Sequence, residues 1–384
     1  MKVCVISGTR AEYGLLYWTI KKMDENPKIQ LSVCLTGMHL SPEFGYTCSK
    51  VEDDGFIIDH KVEMLLSSDS SVGISKSIGL GIIGFADYFE KLKPDWILVL
   101  GDRFEIFSAV SAAMIAKIPV CHCHGGESTE GIIDEAIRHS ITKMSHLHFA
   151  STEKYRKKII QLGEQPNTVY NSGALGIENI NKTELLNRND FENKINFKLS
   201  KLNFLVTFHP VTLDESYSAK AQFIELLKSL QKIEKAKIIF TKPNADHEGR
   251  GIIKLIDIFV NKNKKRSISF VSMGQLLYLS AIKHCDLVIG NSSSGLIEVP
   301  SFNKPSIDIG DRQRGRIKSE SVVSCEPTED SISKSIKFAL SESFQKKLPL
   351  INNPYDNGNS SSMIINKILE TSKKNILKKK FYNI

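Results

Sequence analysis

The sequence predicts an α/β protein of two Rossmann-like, doubly wound domains facing one another across a cleft. Three observations lead there. Short apolar runs alternate with segments of helical periodicity along most of the 384 residues. The runs are apolar on both faces, as strands of a parallel sheet covered by helices on both sides must be. The alternation breaks once, over a stretch rich in Asn, Lys and Glu, and then restarts. The break sets the boundaries: a first domain over 1–177, a linker over 178–200, and a second domain over 201–384 that includes the C-terminal helix.

In the first half, strands are expected at 2–7, 30–35, 96–100, 120–123, 146–150 and 168–171. Helices are expected at 15–23, 104–115, 132–144 and 153–162, each with apolar residues at helical spacing. In the second half the strands fall at 204–207, 237–241, 268–271, 287–289 and 306–309. The helices fall at 219–233, 252–260, 276–282 and 295–299, and a last amphipathic helix at 363–369 has Ser360–Ser362 as candidate caps.

Bulk composition excludes several classes. A chain with 41% hydrophobic and 24% charged residues is ordinary globular material. No apolar run approaches the roughly 18 residues of a membrane span. The first residues lack the long apolar stretch and cleavage site of a secretory signal, so a cytoplasmic protein is expected. Seven cysteines, Cys4, Cys34, Cys48, Cys121, Cys123, Cys285 and Cys325, include no CxxC pair and suggest neither a disulfide framework nor a zinc ribbon. The net charge of +8 would admit nucleic acid. However, much of the excess sits in Lys373, Lys374, Lys378, Lys379 and Lys380, which read as a solvated tail. No aromatic residues interleave with the basic ones, so nucleic acid is not an expected partner. A small anionic substrate suits the charge equally well.

The polar residues gather after strands, where a doubly wound fold builds its site. Gly8-Thr9-Arg10 opens a helix and is either an anion site or a plain turn with a surface arginine. Gly101-Asp102-Arg103 offers a base and a phosphate clamp, or a capped helix start. In His122-Cys123-His124-Gly125-Gly126-Glu127 the alternation puts both histidines on one strand face, which raises zinc. General acid–base chemistry is preferred, because no further ligand follows at a usual spacing. In the next helix Asp134 and Arg138 share one face and Glu135 and His139 the next. Crowded carboxylates there would push their pKa values apart, supplying one acid and one base.

The second half repeats the pattern. His209-Pro210 and Asn244-Ala245-Asp246 end its first two strands. Gly290-Asn291-Ser292-Ser293-Ser294-Gly295 then runs into a helix, as a diphosphate cradle would, with Glu298 one turn on for ribose hydroxyls. No P-loop lysine is present, which disfavours NTP hydrolysis. Gly310-Asp311-Arg312-Gln313 closes the series.

Taken together, these runs resemble the hydrolysing UDP-N-acetylglucosamine 2-epimerases of bacterial sialic- and legionaminic-acid pathways. Gly8-Thr9-Arg10-Ala11-Glu12-Tyr13-Gly14, Thr36-Gly37-Met38-His39, Gly101-Asp102-Arg103, Gly125-Gly126-Glu127 and Asp134-Glu135-Ala136-Ile137-Arg138-His139-Ser140 carry the likeness. His209-Pro210-Val211-Thr212, Gly290-Asn291-Ser292-Ser293 and Arg312-Gln313 continue it. The resemblance implies the GT-B fold of nucleotide-sugar glycosyltransferases, a nucleotide-sugar substrate and no cofactor. It also implies a homodimer or homotetramer.

In the implied reaction a base removes the C2 proton, the nucleoside diphosphate leaves C1, and water adds to a 2-acetamidoglucal to release the C2-inverted sugar. Asp102 and Asp134 match residues of the family's acid–base set. Arg10, Arg103, His209, Asn244, Ser292, Ser293, Glu298 and Arg312 match its nucleotide contacts, and Arg138 and Ser294 adjoin them. Many members carry glutamate where this chain has His124, so the base is His124, Glu127 or Asp134. Ala11, where non-hydrolysing relatives place proline, favours the hydrolysing branch. UDP-N-acetylglucosamine is the favoured substrate, with nucleotide-linked N,N'-diacetylbacillosamine as the alternative. A glycosyltransferase, which needs an acceptor, and a non-catalytic sugar-nucleotide sensor are the rivals from other classes.

Overall fold

The computed structural model describes residues 1–66, 68, 70–128, 133–210, 218–243, 249–372 and 375–383, apart from the side chain of Phe44. They fall into two compact units, Met1–Asn179 with Asn357–Ile384, and Ile180–Asp356.

The first unit is built on seven strands: β1 (Lys2–Ser7), β2 (Gln30–Thr36), β3 (His60–Val62), β4 (Trp96–Leu100), β5 (Val120–Cys123), β6 (Leu147–Ala150) and β7 (Val169–Asn171). Their order is β3-β2-β1-β4-β5-β6-β7, and every pairing is parallel. The order reverses between β1 and β4, which opens a crevice at their carboxyl ends. β4 and β5 are buried along their whole length, as their uninterrupted apolar runs require.

Helix Ser71–Leu92 is a departure from the sequence reading. Its glycines at 73, 79, 81 and 84 each cost a helix about 1 kcal/mol relative to alanine and hide its periodicity. Packing explains two of them. A Cβ on Gly81 would stand 2.8 Å from Ser108 Cβ, and one on Gly84 2.8 Å from Val62 Cγ1. The missing side chains let this helix close on helix Phe104–Ile115 and on β3.

The second unit carries β8 (Asn203–Thr207), β9 (Lys237–Thr241), β10 (Ser267–Phe270), β11 (Leu287–Gly290), β12 (Ser306–Ile309) and β13 (Val322–Cys325). They lie in the order β10-β9-β8-β11-β12-β13, again all parallel. Here the switch falls between β8 and β11. Among the described residues no helix is long and apolar enough to cross a membrane.

Two boundaries differ from expectation. The stretch read as linker contains the end of helix Leu175–Lys182 and all of helix Arg188–Ile195, whose Phe191 and Ile195 enter the core of the second unit. Two apolar residues one turn apart anchor an otherwise polar segment. The C-terminal helix, Ser360–Glu370, belongs to the first unit rather than the second. Its Ile364, Ile365 and Ile368 join Leu16, Ile20 and Met23 in one core. Ser361 donates to the Glu178 carboxylate from its amide (2.8 Å) and hydroxyl (2.6 Å), and Ser360 donates to the Ser172 carbonyl at 2.7 Å.

Nor is the lysine tail wholly solvated. Lys379 donates to the Ser145 carbonyl at 2.6 Å and pairs with the buried Glu164 at 2.6 Å. Glu164 also meets Lys143 at 2.6 Å and His148 at 3.1 Å. Lys373 and Lys374 lie outside the described residues. Burial alone would raise the Glu164 carboxyl, but His148, Lys143 and Lys379 outweigh it and hold it at about 2.

A carboxyl depressed in the fold stabilises above its unfolded value, roughly 4.3, and stops doing so as the pH falls toward the folded one. Glu164→Gln is therefore expected to cost about 2 kcal/mol at pH 7, discounted for the solvent contact of the two lysines. Thermal unfolding checks this: the gap between the variant and the parent should narrow below about pH 4 and close as the pH falls to about 2.

Candidate active site

In the first unit, β1 runs into Thr9, which caps helix Arg10–Asp24 by accepting from the Glu12 amide at 3.2 Å. Glu12 in turn accepts from the Gly8 amide at 2.7 Å, a capping box shifted by one residue. Burial pushes the Glu12 carboxyl up to about 8, against the Gly8 amide and Arg103. Arg10 is exposed at the helix start.

The turn after β4 holds Asp102 and Arg103. Arg103 makes a two-point contact with Glu105, at 2.9 and 3.1 Å, so its guanidinium is committed first to a fully buried carboxylate. Asp102 accepts from Arg138, whose side chain is 2% exposed. Arg138 also donates to the Glu135 carboxylate and to the Glu127 carbonyl, each at 2.7 Å. One guanidinium thus joins the turn after β4, the loop after β5 and the helix Ile133–Met144. Spacing puts Asp134 on the same face as Arg138, yet the residue three back, Glu135, forms the ion pair, and it also meets His139 at 3.2 Å. Burial and then the charge of Asp102 raise the pKa of half-buried Asp134, with Arg103 and Arg138 acting against them.

The two histidines of β5 and its loop diverge. His122 Nε2 lies 2.8 Å from the Gly101 carbonyl and Nδ1 3.3 Å from the Thr142 hydroxyl. His124, at φ 62°, accepts the Leu175 amide on Nε2 at 3.1 Å. Its Nδ1 is 3.3 Å from Glu127 Oε1, which also accepts from the Ser151 hydroxyl at 2.7 Å. With Nε2 accepting, Nδ1 must carry the proton. Both nitrogens of both rings are thus engaged within the protein, which speaks against a shared zinc. Among the described residues no group of three His, Cys, Asp or Glu could hold a metal ion.

In the second unit the chain leaves β11 through Gly290, at φ 150°. A Cβ there would stand 1.8 Å from the Thr207 carbonyl oxygen, so no side chain fits between the two switch strands. Gly290→Ala is expected to destabilise the unit by about 3 kcal/mol, measured by thermal unfolding.

Asn291 follows, fully buried, and braces the strands. Its Oδ1 accepts the His209 amide at 2.7 Å and its Nδ2 donates to the His209 carbonyl at 2.9 Å. Its own carbonyl accepts from Arg312 at 3.0 Å and Gln313 at 2.9 Å. Burial, and then Arg312, lower His209 to about 4, leaving it neutral at physiological pH. Burial, followed by the neighbouring Arg316, also lowers the pKa of Arg312.

Ser292 Oγ accepts the Ser294 amide at 3.4 Å, Tyr278 donates to the Ser294 hydroxyl at 2.9 Å, and Ser293 stands at the helix start. That helix, Ser294–Ile297, has only four residues before a 3-10 turn begins at Val299. Any anion cradle here therefore relies on hydroxyls, loop amides and arginine more than on a helix dipole. Burial raises Glu298, opposed by the Ser294 hydroxyl. Asn244 lies outside the described residues.

Comparison with known proteins bears on what these two clusters do. The description of the UDP-N-acetylglucosamine 2-epimerase family matches residues 21–369. The chain belongs to this family.

A GDP/UDP-N,N'-diacetylbacillosamine 2-epimerase (hydrolyzing) of Campylobacter jejuni is 42% identical to this family member over 325 residues, covering 85% of this chain and 84% of that one. The polysialic acid biosynthesis protein P7 of Escherichia coli is 39% identical over 387 residues, covering 100% and 97%. The crystal structure of the UDP-GlcNAc 2-epimerase of Neisseria meningitidis bound to UDP-GlcNAc superposes with a TM-score of 0.81 at 20% identity, over 97% of this chain and 100% of that one. The last likeness shows the fold, which is GT-B-like.

In this 2-epimerase family member, the structure joins Asp102, Glu127, Glu135 and Arg138 in one network at the carboxyl end of the first sheet, with Asp134 within reach of the charges of Asp102, Arg103 and Arg138. His209, Ser292 to Ser294, Glu298 and Arg312 gather at the carboxyl end of the second. Sequence reasoning did not assign Glu12, Glu105, His122, Ser151, Tyr278 and Asn291. The Thr9-x-x-Glu12 spacing signals the first of these. His122 and Asn291 stood inside runs already singled out.

Proposed function

We propose that the protein is a hydrolysing 2-epimerase that converts a nucleotide-linked 2-acetamido sugar to the free, C2-inverted sugar and the nucleoside diphosphate. The observation that carries this reading is the pair Asp102 and Asp134 beside the buried Arg138. Asp134 is the base. Burial and the charge of Asp102 raise its pKa, which strengthens it as a base, whereas Nε2 of His124 is taken by the Leu175 amide and Glu127 Oε1 by Ser151. When water later adds, its hydroxyl bonds C1 while Asp102, held by Arg138, takes the other proton and delivers it to C2 on the face opposite Asp134, whose own proton passes to solvent. The electron pair released from C2 expels the diphosphate from C1, leaving a 2-acetamidoglucal. In the second unit, Arg312 with the serine loop takes up the charge of the diphosphate, neutral His209 donates a hydrogen bond to the nucleotide, and Glu298 accepts from the ribose hydroxyls.

The 42% identity to the diacetylbacillosamine enzyme supports a sugar with acetamido groups at both C2 and C4. UDP-N-acetylglucosamine is the second reading, favoured by the motif resemblance and by the relative named for polysialic acid biosynthesis.

The test is NMR of the purified protein in D2O with each nucleotide sugar in turn. Release of free sugar with deuterium at an inverted C2 supports the reaction, and the ratio of kcat/KM values assigns the substrate. Product formed only when an acceptor is added would identify a glycosyltransferase instead. No turnover of either sugar nucleotide would end the reading.

A further inference from the structure

The histidine that the proposed chemistry leaves unused lies directly beneath the catalytic turn. His122 is fully buried on β5. Its Nε2 is 2.8 Å from the carbonyl of Gly101, the residue before Asp102. A carbonyl only accepts, so Nε2 carries the proton and Nδ1 is bare. On its other side the ring meets the Thr142 hydroxyl at 3.3 Å, one turn beyond Arg138. A Cβ on Gly125 would stand 3.0 Å from Nδ1, so the ring also packs against the backbone of the loop that leads to Glu127. Gly101 itself sits at φ 82° and donates its amide to the Cys123 carbonyl at 3.1 Å.

We propose that His122 is a positioning residue for Asp102: its Nε2–H, donated to the Gly101 carbonyl, fixes the left-handed turn that aims the Asp102 carboxylate. This rests on the 2-epimerase reading, in which Asp102 handles a proton. The bond turns the one peptide carbonyl adjoining Asp102 into part of a rigid frame shared with β5, the glycine loop and the Arg138 helix. Burial drives the ring down to about 3, against the Gly101 hydrogen bond, with the charge of Arg138 adding to the fall. It therefore stays neutral and keeps this tautomer throughout the working range.

Two variants of equal length separate positioning from packing. His122→Gln keeps an N–H donor at the reach of Nε2, whereas His122→Met fills the same space without one. His122→Gln is expected to hold kcat within about threefold of the parent. His122→Met is expected to lower kcat about thirtyfold at little changed KM, since a misplaced catalytic group costs up to a hundredfold. UDP binding, made by the second unit, should be unchanged in both.

Equal kcat in the two variants, or losses that merely follow the melting temperature, would overturn the proposal. A parent that releases no sugar would instead fail the functional reading. Imidazole 15N NMR of the parent tests the hydrogen bond without turnover. It should report an Nε2–H ring that does not titrate between pH 5 and 9, and a protonated or Nδ1–H ring would overturn the inference.

Discussion

Replacing Arg138 with lysine is expected to reduce kcat about a thousandfold, the scale on which removing a preorganised charged donor acts. The guanidinium reaches three partners in different directions: the Asp102 carboxylate, the Glu135 carboxylate and the Glu127 carbonyl. A lysine ammonium is a single point that cannot span them, so Asp102 loses its tether while the charge stays buried. Arg138→Ala goes further, leaving carboxylates without their counter-charge at a cost of about 3 kcal/mol in stability. Comparing kcat with the melting temperature of the lysine variant is the check. A lower melting temperature with unimpaired kcat would reduce Arg138 to an architectural part.

Asp134→Asn should lower kcat by roughly 10³ while leaving UDP affinity and folding close to those of the parent. The pH dependence gives the sharper signature. A base must be ionised, and Asp134 is raised by burial and by the charge of Asp102. The parent's rate should therefore fall as the pH drops through a value above the ordinary carboxylate range. Asp102→Asn removes one of the three raising influences, the others being burial and Glu105, and takes one counter-charge from Arg138, so in what activity remains the limb moves to lower pH. A limb that stays in place would mean that some other group titrates, and Glu127 would become the first candidate.

The strands were legible where they are apolar on both faces, as at Trp96–Leu100 and Lys237–Thr241. Legibility failed where helical glycines serve close packing, as in Ser71–Leu92, and where strands are short or half exposed, as at His60–Val62 and Val322–Cys325. The site divides in the same way. That its residues follow strands could be read directly, because a parallel sheet places all its carboxyl ends on one edge. Which partner each side chain takes could not. The bond from the Leu175 amide to His124 spans 51 positions, and Arg103 prefers Glu105, two residues on, to any more distant anion. Only tertiary packing selects among such options. For that reason the sequence left three candidates for the base, and the hydrogen bonds of His124 and Glu127 favour Asp134 among them.

The first unit is assembled from two stretches of chain, residues 1–179 and 357–384, with an entire second unit encoded between them. Translation therefore delivers its last core helix some 180 residues late. Until then the nascent chain exposes the Leu16, Ile20 and Met23 surface that Ile364, Ile365 and Ile368 finally cover. The second unit is contiguous and can complete itself on the ribosome, while the first waits for its last helix. A premature stop or a proteolytic clip ahead of residue 357 would leave the second unit whole and the first with an open hydrophobic seam. The amino-terminal half, although made first, finishes last.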